Sequence, residues 1–222
     1  MKTVNVSLKQ NPYKIYVGQN IMSQLGAKLK ALKLGKHAVV ITNPLIHRLH
    51  GKSVVARLKK QGFVVKVFTV PDSEKSKSAK VAFKLIEDIA RYDAMKNVFV
   101  IALGGGVIGD LAGYVAAAYK RGIPYVQVPT TLLAQIDSAI GGKVAIDLPI
   151  GKNLVGAFYQ PKFVLSDVSV LKTLSQRQIR NGLAEAIKYG VIADAKLFQF
   201  LENNHAKILQ YDLAALQHLV LR

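Results

Sequence analysis

The chain has 222 residues, half of them hydrophobic, with 31 Lys and Arg against 13 Asp and Glu for a formal net charge of +18, and no cysteine. A chain of this length and apolar content can bury at least one full core, which excludes disorder as a description of the whole. The missing cysteines exclude a disulfide framework, thiolate metal sites and a cysteine nucleophile, leaving His, Asp and Glu as metal ligands.

The apolar runs are broken by Gly, Lys or Asp before reaching the roughly 18 residues of a spanning helix. Met1-Lys2-Thr3 leads into no secretory core, so a soluble cytoplasmic protein without membrane association is expected. The positive excess favours anions of almost any kind. Its lysines, such as Lys28, Lys30, Lys33 and Lys36, are spread through helical patterns, with no arginine-rich run and no aromatic-plus-basic motif. Specific nucleic-acid recognition is therefore not expected, and a basic nucleic-acid-binding module is kept only as the non-enzyme alternative.

In chain order, strands are predicted at 4–8 and 13–17, then a helix on Ile21, Leu25, Leu29 and Leu32, then a β-branched strand at 37–42 closed by Asn43-Pro44. A helix over 44–61 leads to a strand at 63–70, and a helix over 78–91 leads to a strand at 98–103. Strands alternating with amphipathic helices predict an α/β fold, a Rossmann-like, mostly parallel sheet with crossover helices.

The strand at 98–103 runs into Gly104-Gly105-Gly106 and a helix beginning near Val107. Strand, glycine turn and helix suit a phosphate: the backbone can approach without Cβ atoms, and the free N–H groups and positive dipole end of the helix face the anion. The bare triplet fits a ligand-free βα turn equally well and is not the GxGxxG fingerprint. Lys143 follows a Gly-Gly pair and Lys152 follows Gly151, which places both on loops, either as receptors for phosphate or carboxylate or as solvated lysines. Asp137 lies in an otherwise apolar stretch, where a carboxylate is functional or ion-paired with a lysine. Glu185 and Lys188 share one side of a predicted helix, as an acid and base for chemistry or as a surface i,i+3 pair.

Read whole, Gly104-Gly105-Gly106-Val107-Ile108-Gly109-Asp110-Leu111-Ala112-Gly113-Tyr114-Val115-Ala116 resembles the GGGVxGDxxGFxA signature of the dehydroquinate synthase family of sugar-phosphate cyclases, with Tyr114 where Phe is usual. Four later blocks resemble the family in the same order: Pro129 to Ser138, Gly141-Gly142-Lys143, Gly151 to Phe158, and Asn181 to Gly190.

The resemblance implies an NAD-dependent phosphorus-oxygen lyase with a divalent metal, zinc or cobalt, acting on a small anionic sugar phosphate. In this family 3-deoxy-arabino-heptulosonate 7-phosphate is transiently oxidised, loses phosphate by β-elimination, is reduced back, and closes by an aldol step to 3-dehydroquinate. A sister cyclase and a metal-dependent polyol or glycerol-phosphate dehydrogenase are the neighbouring alternatives.

Carried over by residue, the resemblance implies NAD contacts at Gly105, Gly106, Val107, Ile108, Gly109 and Asp110, and at Thr130 and Thr131. Asp72, Glu74 and Lys77 match a D-G-E-x-x-K nucleotide loop in which Ser73 replaces glycine, implying strain if that position needs a positive φ. Asn43 matches a ribose-contacting position or is simply a helix N-cap. Lys143, Lys152, Val170, Leu171, Lys172, Thr173 and Asn181 complete the implied NAD set. Arg121, Asp137, Lys143, Asn153 and Lys188 match substrate positions, and Glu185 matches one metal ligand whose partners are two later histidines. His37, His47, His50, His205 and His218 lie outside that context, and His47 and His50 are expected on the surface.

The implied organisation is an NAD-binding α/β domain over 1–173 and the beginning of an α-helical metal and substrate domain over 174–222. The chain is accordingly expected to be the front part of a longer enzyme, a homodimer when full length, and to be inactive alone.

Overall fold

A computed structural model describes all residues from Met1 to Arg222. Nine strands are β1 (Lys2–Val6), β2 (Tyr13–Gly18), β3 (His37–Thr42), β4 (Val64–Thr69), β5 (Phe99–Gly104), β6 (Tyr125–Pro129), β7 (Lys143–Leu148), β8 (Gly151–Phe158) and β9 (Phe163–Asp167). Seven form one sheet in the order β1-β2-β9-β6-β5-β3-β4, parallel except for the β1–β2 pair, while β7 and β8 form a separate antiparallel hairpin. Helices α1 (Leu25–Ala31), α2 (Pro44–Ile46), α3 (Lys52–Lys60), α4 (Ala79–Asp93), α5 (Gly106–Ala118), α6 (Gln176–Ala193), α7 (Ala195–Leu209) and α8 (Leu213–Leu221) complete it. No helix is long and apolar enough to cross a membrane.

Strands β5 and β6 are buried along their whole length, as continuous apolar runs in a parallel sheet covered on both faces must be. Ala38, Val40, Phe99, Ile101 and Leu103 face α1 and α3, while Val39, Ile41, Val100 and Ala102 face α4 and α5. Helices α6, α7 and α8 continue the second layer, sharing one apolar cluster with Tyr13, Ile15 and Val17 of β2 and Val164 of β9.

The mostly parallel α/β architecture is the one expected from the sequence, and the differences are local. β1 lies at Lys2–Val6 rather than 4–8, because its register pairs Lys2 with Val17 and Val6 with Tyr13. The helix predicted over 44–61 contains a π turn at His47–Gly51, where the His47 ring lies so close to Gly51 that a Cβ there would sit 2.6 Å from Nδ1. His47 and His50 are half-buried rather than on the surface, and His50 Nε2 meets Thr173 Oγ1 at 3.1 Å. Lys143 and Lys152 are on the β7–β8 hairpin, not on loops. That hairpin docks on α5 through Val144 and Ile146, and a Cβ on Gly113 would come 2.3 Å from Val144.

At the C-terminal end of α4 the buried Asp93 carboxylate accepts from the Tyr119 hydroxyl at 3.0 Å and from Lys120 Nζ. Burial pushes its pKa up, but the hydrogen bonds from Lys120 and Tyr119 prevail and hold it below the ordinary value. A depressed folded pKa gives stability that is present above the unfolded value of about 4 and lost as pH falls through the folded one. Asp93→Asn is therefore expected to flatten the acid side of the stability profile, read from urea midpoints between about pH 2 and pH 7. An unchanged acid limb would contradict this.

Candidate functional site

In the sheet order, β4 lies beyond β3 on one side and β5 returns to the other, so the chain switches direction between β3 and β5. Adjacent βα connections there diverge to opposite faces and leave a crevice at the carboxyl ends of the strands, the usual ligand position in such sheets. Asn43 follows β3, Gly105 follows β5, and Thr130 and Thr131 follow β6.

A cavity of about 810 Å³ occupies this crevice. Asn43, Asp72, Glu74 and Lys77 line it on one side, and Gly105, Gly106, Val107, Ile108 and Asp110 on another. Thr131 and Asn181 close it. The N-cap of α5 is Gly105, with no side chain capping the helix, so the first-turn amides have no competing acceptor of that kind. A Cβ on Gly105 would lie 3.0 Å from Thr131 Cγ2. Thr130 Oγ1 and Ser138 Oγ are buried without hydrogen-bond partners. A glycine cradle, an uncapped helix start and the orphaned Ser138 hydroxyl on the cavity wall fit an anionic dinucleotide.

Not every residue assigned to the cofactor lines this cavity. Gly109 is buried against Gln127, Thr130 is buried behind Thr131, and Val170 and Leu171 are core residues. Lys172 and Thr173 are exposed beside them, and the cavity is reached instead by Leu174, Arg177 and Gln178. Lys152 reaches Glu74 across the rim at 3.3 Å. Asn43 caps the next helix by accepting from Ile46 N at 2.7 Å and donates to Asp72 at 2.7 Å, so the capping reading is realised while the residue still lines the cavity. Ser73 has φ −157°, an extended backbone, so the strain considered for it does not arise.

A second cavity of about 560 Å³ adjoins the first through Asp110 and Ser138, which line both. Asp137, Lys143 and Asn153 line it together. The carboxylate of Asp137 is partnered by the Tyr189 hydroxyl at 2.7 Å, not by a lysine. Burial and then Asp137 raise the Tyr189 phenol well above its ordinary pKa, which keeps it a donor. Lys77, only 4% exposed, crosses the wall between the cavities, donating to Asp110 and to Asn153 Oδ1. Burial pushes the Asp110 carboxyl up against the opposing pull of Lys77.

On α6, Glu185 and Lys188 form an ion pair whose hydrogen bond holds the Glu185 carboxyl below its ordinary value. Glu185 lies one turn before Tyr189 on the same face. No three His, Asp or Glu side chains converge anywhere in the chain. Glu185 offers one ligand, so these residues do not by themselves fit the three or four protein ligands of a zinc site.

Arg121 is not brought to either cavity. It follows α5, whose 13 residues carry it about 20 Å from the glycine turn to the opposite end of the sheet. In the sequence Ser138 stands out only as part of a motif and Tyr189 falls on the helix face opposite Glu185 and Lys188, whereas the structure sets the Tyr189 hydroxyl beside Glu185 and on Asp137. Their tertiary partners, the glycine turn and Asp137, give no signal in local spacing.

A family profile described as "3-dehydroquinate synthase N-terminal" matches residues 67–181. The 3-dehydroquinate synthase of Pelotomaculum thermopropionicum is 47% identical over 220 residues, covering 99% of this chain and 59% of that protein. Among solved structures, a 2-epi-5-epi-valiolone synthase from Streptomyces hygroscopicus with NAD+ and Zn2+ bound aligns with TM-score 0.83 and 27% identity, over 96% of this chain and 61% of that one. A 2-deoxy-scyllo-inosose synthase complexed with carbaglucose-6-phosphate, NAD+ and Co2+ shares the fold at TM-score 0.80 and 23% identity, over 97% of this chain and 62% of that one. The chain spans 59% to 62% of the length of the curated relatives it matches. Because the profile begins within β4, ends within α6 and takes in most of both cavity walls, the chain belongs to the 3-dehydroquinate synthase family.

Proposed function

We propose that this chain is the cofactor-holding part of a 3-dehydroquinate synthase, converting 3-deoxy-arabino-heptulosonate 7-phosphate to 3-dehydroquinate and phosphate. The observation that carries this is the pair of joined cavities, one built on the glycine turn and the other lined by Asp137, Lys143 and Asn153. The names of the relatives and the NAD+ in the related cyclases support it. NAD, when bound, supplies the transient oxidation of one ring carbinol and the later return of the hydride.

In this reading the first-turn amides of α5 and the hydroxyls of Thr131 and Ser138 hold the diphosphate, with Lys77 and Asp72 nearer the nucleotide. Lys143 provides a fixed cation at the second cavity for the acidic sugar, and Asn153 provides amide hydrogens. Asp137, oriented by Tyr189, keeps one oxygen for a substrate hydroxyl. Lys188 stands beside Glu185 at the neighbouring face of α6. Residues 1–173 then form the cofactor unit and 174–222 open the helical one. Arg121 enters only through a second copy of the chain in a homodimer, since its own cavities are at the other end of the sheet.

Titration calorimetry with NAD+ tests the first cavity and release of phosphate without net NADH absorbance tests the chemistry. Lys143→Ala, in an active form, is expected to lower turnover about a hundredfold or more while NAD+ affinity stays within about threefold. Unchanged turnover would remove Lys143 from the substrate site.

A further inference from the structure

Asn153 lies inside β8 with φ 58°. Non-glycine residues adopt this left-handed backbone rarely, and keep it only where neighbours impose it. Three hydrogen bonds impose it here as a closed ring: Asp147 N donates to Lys77 O at 2.7 Å, Asn153 N donates to Asp147 Oδ1 at 2.8 Å, and Lys77 Nζ donates to Asn153 Oδ1. The β7–β8 register slips between Ile146 and Leu148, and Asp147 occupies the slip, bridging to Ser78 beside Lys77. An irregular strand of this kind re-aims a side chain.

We propose that Asp147 is a positioning residue that sets which end of the Asn153 amide faces the second cavity. With Oδ1 taken by Lys77, the Asn153 NH2 group is left to donate, so the cavity selects a ligand oxygen such as that of a phosphate, carboxylate or hydroxyl. Were Asp147 lost, the Asn153 amide would lack its acceptor and the backbone would return to the extended region, taking the side chain off Lys77. Because the ring closes through Lys77, which also lines the first cavity, Asp147 ties the hairpin to the cofactor loop. The proposal rests on the assignment of Asn153 to the substrate cavity.

Asp147→Ala and Asp147→Asn separate positioning from general folding, since Asn keeps the side-chain oxygen that receives the Asn153 N–H. In Asp147→Ala, hydrogen exchange at the Asn153 amide is expected to speed up about tenfold or more and, in a form that spans the length of its relatives, kcat/KM for the heptulosonate phosphate to fall about tenfold or more, with the Kd for NAD+ within about threefold. Asp147→Asn is expected to return both to within about threefold of the unsubstituted protein. Unchanged exchange in Asp147→Ala, or equal damage in Asp147→Asn, overturns the proposal. Failure of a form that spans the length of its relatives, with Asp147 unsubstituted, to turn over the sugar phosphate counts against the functional reading, and exchange at Asn153 then decides the positioning role alone.

Discussion

Gly105→Val is expected to weaken NAD+ binding by more than about a hundredfold while leaving the fold in place. An oxygen accepts from a backbone amide at about 2.9 Å. A methyl group in the same space holds it off at roughly 3.5–4 Å. The first-turn amides of α5 then lose two or more hydrogen bonds to a charged group, each contributing about 1.5–3 kcal/mol, and every 1.4 kcal/mol is tenfold in affinity. The added side chain has no other place to go, because even its Cβ would lie 3.0 Å from Thr131 Cγ2. The backbone there, at φ −78° and ψ −169°, is open to any residue, so no backbone strain is added and only the Thr131 side chain has to give way. Calorimetric titration beside a thermal melt checks both halves. An NAD+ affinity within about threefold of the unsubstituted protein, at unchanged melting temperature, would mean that the anion is held elsewhere.

Much of this site was legible in the sequence because its parts are contiguous and their chemistry is local. The strand at His37–Thr42 was placed to the residue, since an unbroken apolar, β-branched run closed by Asn43-Pro44 has few other foldings. The turn at Gly104 to Gly106 announced itself by the strand before it and the helix after it. The β7–β8 hairpin was hidden because Gly141, Gly142, Pro149 and Gly151 read as loop, and its docking on α5 depends on the distant fit of Val144 against Gly113. Arg121 was grouped with the substrate residues by motif alone, and only the length of α5 puts it at the other end of the sheet. Asp137 carried a signal for a partner but not for which one: Tyr189 is 52 positions away, and its approach requires α6 to fold back over the strand ends.

Lys77 is the cation whose loss is expected to cost most. Its ammonium group is buried between Asp110 and Asn153 Oδ1, and its backbone oxygen receives Asp147 N. Lys77→Met keeps most of the volume and the backbone bond but leaves the Asp110 carboxylate without a counter-charge in a site where its side chain is 18% exposed. Stranding one member of a buried pair costs about 3–5 kcal/mol, far more than the intact pair contributes over an apolar replacement. The loss should depend on pH in a particular direction. Burial already raises the Asp110 pKa with Lys77 in place, and removing the lysine raises it further. A carboxyl whose folded pKa exceeds its unfolded value of about 4 contributes stability that is fully present below the unfolded value and is lost as pH rises through the folded one. Lys77→Met is therefore expected to be most destabilised near about pH 8 and to recover part of the difference near about pH 4, where Asp110 is protonated and neutral. Urea unfolding of both proteins across that range measures it. A pH-independent difference would show that Asp110 finds another cation or water, and that Lys77 acts in the wall between the cavities through Asn153 alone.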